Sequence, residues 1–302
     1  MGKSKNSEHT GYLLVFAAGA LWGTIGLFVK QMAASGADAL MISFFRVFFA
    51  FAIMLLFVAV KGGKKALLIR KRTLIFSILL GVVCHGVYNI FYSYAVTLTG
   101  VAISAVLLNI APVFTFLVSA RCFSEKASTK KMLALVVNIV GCTLTATGGK
   151  LDFDVAAITG ILCGIGAGFC YAMTAIFGRF ANEDSDPLAV STYSYLFAAL
   201  LLLIPARPWR LVYIAAPGGV VFYGILFALI PTAIGYVLYY YGVQRVSESS
   251  KVPAIASVET VVAAVLGVVI YMERLNTVSV IGIAIVLLSI YILGTASKIS
   301  KS

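Results

Sequence analysis

Charge is scarce in this chain. Only 11% of its 302 residues are Asp, Glu, Lys or Arg, where soluble globular proteins carry about 25%. Hydrophobic residues make up 61% and mean hydropathy is +1.03, so a soluble domain of this size would lack the polar residues to cover its surface. Acidic residues are scarcest, 11 against 23 basic ones. Two histidines in the whole sequence argue against a histidine-based metal site. The five cysteines (Cys84, Cys122, Cys142, Cys163 and Cys170) form no C-x-x-C pair and lie in or beside apolar segments, which argues against a zinc site or a disulfide framework. They read as small apolar fillers. No Walker motif is present, so ATP is not the direct energy source. The first apolar run, from Gly11 to Lys30, is too long for a signal-peptide core and ends without a small-residue cleavage pattern.

A net charge of +12 would suit a nucleic-acid partner only if the basic residues formed one face with interleaved aromatics. They fall instead in short clusters between apolar runs: Lys61, Lys64, Lys65, Arg70, Lys71 and Arg72, then Arg121, Lys126, Lys130 and Lys131. That is the pattern of membrane-flanking loops, and no nucleic acid is implied.

What the sequence has in abundance is long apolar runs. A helix of about 20 residues crosses a hydrocarbon core of roughly 30 Å. By that ruler ten segments emerge, at 11–33, 37–60, 73–96, 101–122, 131–148, 156–180, 187–205, 217–243, 250–271 and 277–295. The loops are short, and lipid offers the backbone no partners, so the spans must be helices. The expected class is an all-α membrane protein with ten transmembrane helices. With both termini inside, only Lys30, Lys150, Arg207, Arg210 and Arg274 fall outside and Arg46 lies within a span; the other Lys and Arg sit on the inner side. This bias places both termini in the cytoplasm of a plasma (inner) membrane.

The chain also resembles itself. A shift of 148 residues brings Gly19-Ala20-Leu21-Trp22 near Ala167-Gly168-Phe169-Cys170, Ala111-Pro112-Val113 onto Glu259-Thr260-Val261, and Glu125-Lys126 onto Glu273-Arg274. A one-residue slip brings Tyr88 to Val96 over Gly235 to Val243. The expected units are 1–150 and 151–302, each of five helices. Five is odd, so the copies are inverted across the bilayer, a frequent design of secondary transporters.

Residues in this order resemble the EamA-type transporters of the drug/metabolite transporter superfamily. The marks are Gly19-Ala20-Leu21-Trp22-Gly23-Thr24, Phe45-Arg46, Ala111-Pro112-Val113, Glu125-Lys126-Ala127-Ser128, and Glu273-Arg274-Leu275 followed by Gly282. The resemblance covers nearly the whole chain. It implies solute movement, often export of amino acids or other metabolites, through a central cavity between the halves. Two positions depart from the family pattern: Thr260 stands where a Pro usually follows the acidic residue of the ninth helix, and the Arg of the second helix has its counterpart at Ser194.

Ionisable groups deep in a span are costly and default to function. Glu259 lies about 13 Å into its span, Arg46 about 13 Å from the opposite side, and His85 roughly 18 Å into the third, at 1.5 Å per residue. Glu259 is the first choice for binding a cationic or amino group or exchanging a proton with substrate; an ion pair with Arg46 is the structural alternative. His85 fits either a proton relay or a neutral donor to a neighbouring helix. Asn89 and Tyr92 share a face with it at steps of four and seven. Asn109 precedes Pro112, whose missing N–H is expected to free a carbonyl and bend the fourth helix. Trp22, Tyr171, Tyr236 and Tyr239 add amphipathic rings for a flat or cationic ligand. Gly160, Gly164, Gly168 and Gly282 read as close-packing positions.

Together these features point to a secondary transporter. The expected substrate is a small polar or amphipathic metabolite such as an amino acid or amine, moved by alternating access, most simply as an exporter. No cofactor is expected beyond possible proton coupling, and a monomer or weak homodimer is the expected assembly. Nucleosides, nucleotide sugars and cationic drugs are alternative cargoes, and a non-transporting sensor or assembly subunit is the alternative role. An intramembrane enzyme would need paired catalytic groups, and no nucleophile accompanies Glu259.

Overall fold

A computed structural model describes residues 5–62, 67–124, 129–149, 158–183, 185–248, 251–272 and 276–299. The described chain is helical, in fourteen α-helices in chain order: α1 (Lys5–Trp22), α2 (Ile25–Ala34), α3 (Ala39–Gly62), α4 (Lys71–Leu79), α5 (Tyr88–Leu108), α6 (Ala111–Phe123), α7 (Thr129–Thr147), α8 (Ile158–Ala181), α9 (Pro187–Ala206), α10 (Pro217–Phe227), α11 (Gly235–Arg245), α12 (Val252–Ala256), α13 (Val258–Tyr271) and α14 (Thr277–Ile299). Joined end to end where the axis continues, they give eight helices long and apolar enough to cross a bilayer. Two shorter apolar helices, in α7 and α14, complete ten. The outer surface suits lipid: Leu56, Leu162, Ile204 and Val269 are all more than half exposed.

The contacts along α8 fix the topology of the first repeat. Phe76 meets Phe177 and Phe180, Tyr88 meets Tyr171, Phe91 packs on Gly166 and Leu98 on Gly160, so the third span runs antiparallel to α8. Leu107 then packs on Gly164 and Gly168, Phe114 meets Phe169 and Phe123 meets Phe180, so the fourth span runs parallel to it. The chain therefore reverses between Leu98 and Leu107. It does so within the stretch α5, where the gap expected at 97–100 holds no non-helical residue between the two spans.

The second repeat does the same on α1. Gly235 packs on Trp22 and Gly242 on Val15 and Gly11, antiparallel; Ala256 then packs on Gly19 and Val262 on Gly23, parallel. Exchange of the repeats turns one set of contacts into the other. Spans two and seven (α3 with α9) and five and ten (α7 with α14) pair with their own counterparts. The molecule is thus two inverted five-helix repeats, interleaved so that most helices find their main partner in the other half.

Glycines set the closest crossings. A Cβ on Gly19 would lie 2.5 Å from the Ala256 carbonyl oxygen, and one on Gly168 would lie 2.9 Å from that of Leu107. These are matching crossings in the two repeats, and only a residue without a side chain admits them. Gly282 does the same against Thr145, as its sequence position suggested.

Three further features repeat at the same spacing. The first is a wide π-helical stretch, Leu80–Val87 in the third span and Ala228–Ile234 in the eighth. These hold 8 and 7 residues, which is the one-residue slip seen in the sequence. Second, breaks interrupt the fourth span at Asn109–Ile110 and the ninth at Ser257. Third, Ser124 and Met272 close α6 and α13 in the left-handed conformation, with φ of 52° and 53°. The Glu125-Lys126 and Glu273-Arg274 marks that follow them lie outside the described residues.

Candidate functional site

Each irregular stretch has a local cause. Pro231 lacks an N–H for the carbonyl of Phe227, and the Thr232 hydroxyl donates to that oxygen instead at 2.9 Å, satisfying it within the bilayer. In the third span the Asn89 side-chain amide donates to the His85 carbonyl. Ser257, at the break in the ninth span, accepts from Asn138 at 2.8 Å, and Asn138 also donates to Ser289 at 2.8 Å, which ties spans five, nine and ten together. The first span breaks too, at Gly23-Thr24, where a Cβ on Gly23 would lie 2.8 Å from the carbonyl oxygen of Glu259. Its counterpart in α8 is continuous. π-helical turns often mark functional positions, and here they bring polar side chains inward from both repeats.

Those side chains form an aromatic cage. Trp22 stands 4.8 Å from Tyr236, 5.1 Å from Tyr239 and 6.2 Å from Tyr171, centroid to centroid. Tyr171 continues to Tyr88 at 6.1 Å, and Tyr88 stacks on Tyr92 at 5.8 Å. His85 closes the opposite side, 4.8 Å from Tyr236 and 5.1 Å from Tyr195, with its Nε2 in a hydrogen bond of 3.4 Å with the Tyr240 hydroxyl. The rings come from spans one, three, six, seven and eight.

Glu259 enters this cage from the first turn of α13. It is half-buried, the Tyr171 hydroxyl faces its carboxylate, and its charge reaches Tyr88, Tyr92, Tyr236 and Tyr239. Among the described residues no ion pair joins it to a cation, so the structural alternative of a lock with Arg46 is not formed.

Arg46 is buried in α3. Its guanidinium donates to Asn89 Oδ1 at 3.3 Å and stands 5.3 Å from the Phe227 ring centroid. Ser43 donates to the same oxygen at 3.0 Å. Asn89 is therefore a hub whose acceptor and donor are both used. Tyr88 and Tyr236 lie within reach of both Arg46 and Glu259.

The predicted residues thus gather with one regrouping. Trp22, Tyr171, Tyr92, Tyr236, Tyr239 and Glu259 form one lobe, while Arg46, Asn89 and His85 form a second that shares Tyr236. His85 and Tyr92 separate because the wide turns before Tyr88 rotate His85 toward α9 and α11. Asn109 is half-buried at its break, with no side-chain hydrogen bond to the cage among the described residues. Sequence reasoning passed over Tyr88, Tyr195, Ser43 and Asn138. Tyr88 stands four residues before Tyr92, a signal that helical spacing offered; Tyr195, amid an apolar run, gave none. A separate pocket of about 290 Å³, lined by Gly36, Asp38, Met41, Arg210, Tyr213, Ile214 and Ala215, shares no residue with the cage.

Comparison with known proteins agrees with this architecture. The model of the EamA-like transporter family matches twice, over residues 9–147 and 158–295. An "Uncharacterized transporter" of Archaeoglobus fulgidus is 28% identical over 284 residues, covering 93% of this chain and 95% of the relative. "Uncharacterized transporter YwfM" of Bacillus subtilis is 26% identical over 292 residues, covering 96% and 95%. A solved structure described as "Crystal structure of protein" superposes with a TM-score of 0.79 over 94% of this chain and 98% of that one; at 15% identity it speaks to the fold alone.

Proposed function

Because the chain belongs to the EamA-like transporter family, we propose that it exports a small polar or amphipathic metabolite, an amino acid or related amine, across the plasma (inner) membrane. Both termini are assigned to the cytoplasm on the distribution of Lys and Arg. The two repeats, 1–150 and 151–302, exchange conformations to open the cage to alternate sides, with the paired breaks and π-helical stretches as the points that bend. The cage is built within one chain, so a monomer, or at most a weak homodimer, is the working unit.

The observation that carries this reading is Glu259, a half-buried carboxylate with no cationic partner among the described residues, ringed by tyrosines from both repeats. A carboxylate walled by aromatic faces suits a substrate ammonium, through charge on one side and cation–π contact on the other. The same carboxylate serves as the coupling site, because a proton and an ammonium compete for it.

The test is flux in proteoliposomes across an imposed pH gradient. Saturable amino-acid or amine flux that responds to the gradient in the wild type and in Glu183→Gln, and loses that response in Glu259→Gln, supports the assignment. Gradient-driven flux that survives in Glu259→Gln overturns Glu259 as coupling site, and the lack of saturable flux of any candidate overturns the substrate class.

A further inference from the structure

The second lobe poses an unbalanced charge. Arg46 is 7% exposed in a helix of the bilayer, and its guanidinium is permanently charged. A buried cation in such a place pairs with an acid or serves a transport path. Among the described residues no carboxylate pairs with Arg46. Among those residues its one hydrogen bond runs to the neutral Asn89, whose Oδ1 it shares with Ser43, and its buried Nε has no partner among them. Two more ring nitrogens are left the same way, Trp22 Nε1 and His85 Nδ1. The Trp22 and His85 rings each stand 4.8 Å from Tyr236, and Arg46 joins the same group through Asn89, whose amide donates to the His85 carbonyl. Two of these nitrogens can only donate, so the locus holds a surplus of donors.

The repeat supplies an internal control. The position matching Arg46 in the second half is Ser194, whose hydroxyl bonds back to Val190 at 2.8 Å and whose backbone packs on Gly81. The position matching Glu259 is Ala111, fully buried. The architecture therefore forms at both places without a charge. Each charge occurs once, in a different repeat, and the two face the same pair of tyrosines without meeting.

We propose that Arg46 is a specificity-determining residue that pairs with a carboxylate carried by the substrate. This rests on the transport reading above and narrows it: the cargo bears a carboxylate toward Arg46 and His85 and its ammonium toward Glu259, with its body against Tyr88 and Tyr236. A guanidinium matches a carboxylate in geometry as well as charge, and it is the substrate that brings the missing counter-charge into the membrane. Amines that lack the carboxylate leave Arg46 unbalanced and are rejected.

The test compares matched pairs on purified protein in liposomes, phenylalanine against phenethylamine and leucine against isoamylamine. Initial rates are taken as kcat/KM for the wild type, Arg46→Lys and Arg46→Gln. The expected wild-type preference for each acid over its amine is at least tenfold, retained in part by Arg46→Lys and reduced to within threefold in Arg46→Gln. Amines carried as well as the acids by the wild type overturn the proposal while leaving transport standing, as does an undiminished preference in a folded Arg46→Gln. If Arg46→Gln does not fold, the wild-type ratios decide alone. Absence of saturable flux for all four compounds removes the transport reading itself, and the proposal with it.

Discussion

Replacing Gly19 by Ala tests the interleaved packing on which the cage depends. The added Cβ would stand 2.5 Å from the Ala256 carbonyl oxygen, 2.8 Å from Val258 Cγ1 and 3.0 Å from Ala256 Cα. Two of these atoms are backbone, and every residue of α12 is buried, so no side-chain rotation relieves the clash. Either α1 or the ninth span must shift by several tenths of an ångström. Overpacking of a tight contact costs about 1–3 kcal/mol. Gly26 is the control, since a Cβ there meets nothing within 4 Å and its helix gains at most about 1 kcal/mol from Ala. The two variants, differing only in where one methyl group goes, should therefore separate by roughly 1–4 kcal/mol. Reversible unfolding in mixed dodecyl sulfate and dodecyl maltoside micelles, followed by circular dichroism, measures the gap. Gly19→Ala should also depress flux, because the crossing lies just before Glu259. A Gly19→Ala protein as stable as Gly26→Ala would refute the close approach of spans one and nine.

Asn138→Ala removes both hydrogen bonds that join spans five, nine and ten. At about 0.6–1.7 kcal/mol for an interhelical bond in a membrane, a loss of roughly 1–3 kcal/mol is expected in the same unfolding assay, with Asn138→Asp no substitute for the lost donors. The Arg72–Glu183 ion pair, at 3.0 Å but with both side chains 57% exposed, should contribute little. Its double neutralisation to Gln is expected to change stability by less than about 1 kcal/mol, and a larger loss would show that solvent screens this pair less than its exposure suggests.

The ten spans, their inversion and the repeat were legible because each rests on a periodic or length-based property that survives without coordinates. A run of 20 apolar residues has few other uses, and five spans per copy forces inversion. The bends were only half legible. Pro112 and Pro231 advertise lost N–H groups, and the fourth span does break beside Pro112. The break at Ser257 carries no proline three residues on, however, since Thr260 stands at the matching place, and it is held by Asn138 from a different span. The gap between spans three and four, expected at 97–100, holds no non-helical residue. In the cage, the ionisable residues were found because charge is rare in a span. Tyr195 was not, because one tyrosine in an apolar helix looks the same whether it faces lipid or a histidine. The grouping of His85 with Arg46 rather than Tyr92 could not be read at 3.6 residues per turn, since the turns between them are wider than that.

The features that repeat and those that occur once divide cleanly by role. Wide turns at Leu80–Val87 and Ala228–Ile234, breaks at Asn109 and Ser257, left-handed caps at Ser124 and Met272, and glycine crossings at Gly19 and Gly168 all occur in both halves. A duplicated chain keeps them because both copies must cross, bend and end helices alike. Charge buried within the spans does not repeat: Arg46 is matched by Ser194 across the pseudo-symmetry, and Glu259 by Ala111. Neither does the break at Gly23-Thr24, which lets the first span approach Glu259 while α8 runs on unbroken to present Tyr171. If backbone stability alone were at stake, Arg46 and Glu259 would be the costliest residues in their spans, because each brings a charge into the bilayer core without a partner across the cage. The other half builds the matching positions with Ser194 and Ala111, so the helix architecture forms there without either charge, which is consistent with the substrate-binding role proposed for both.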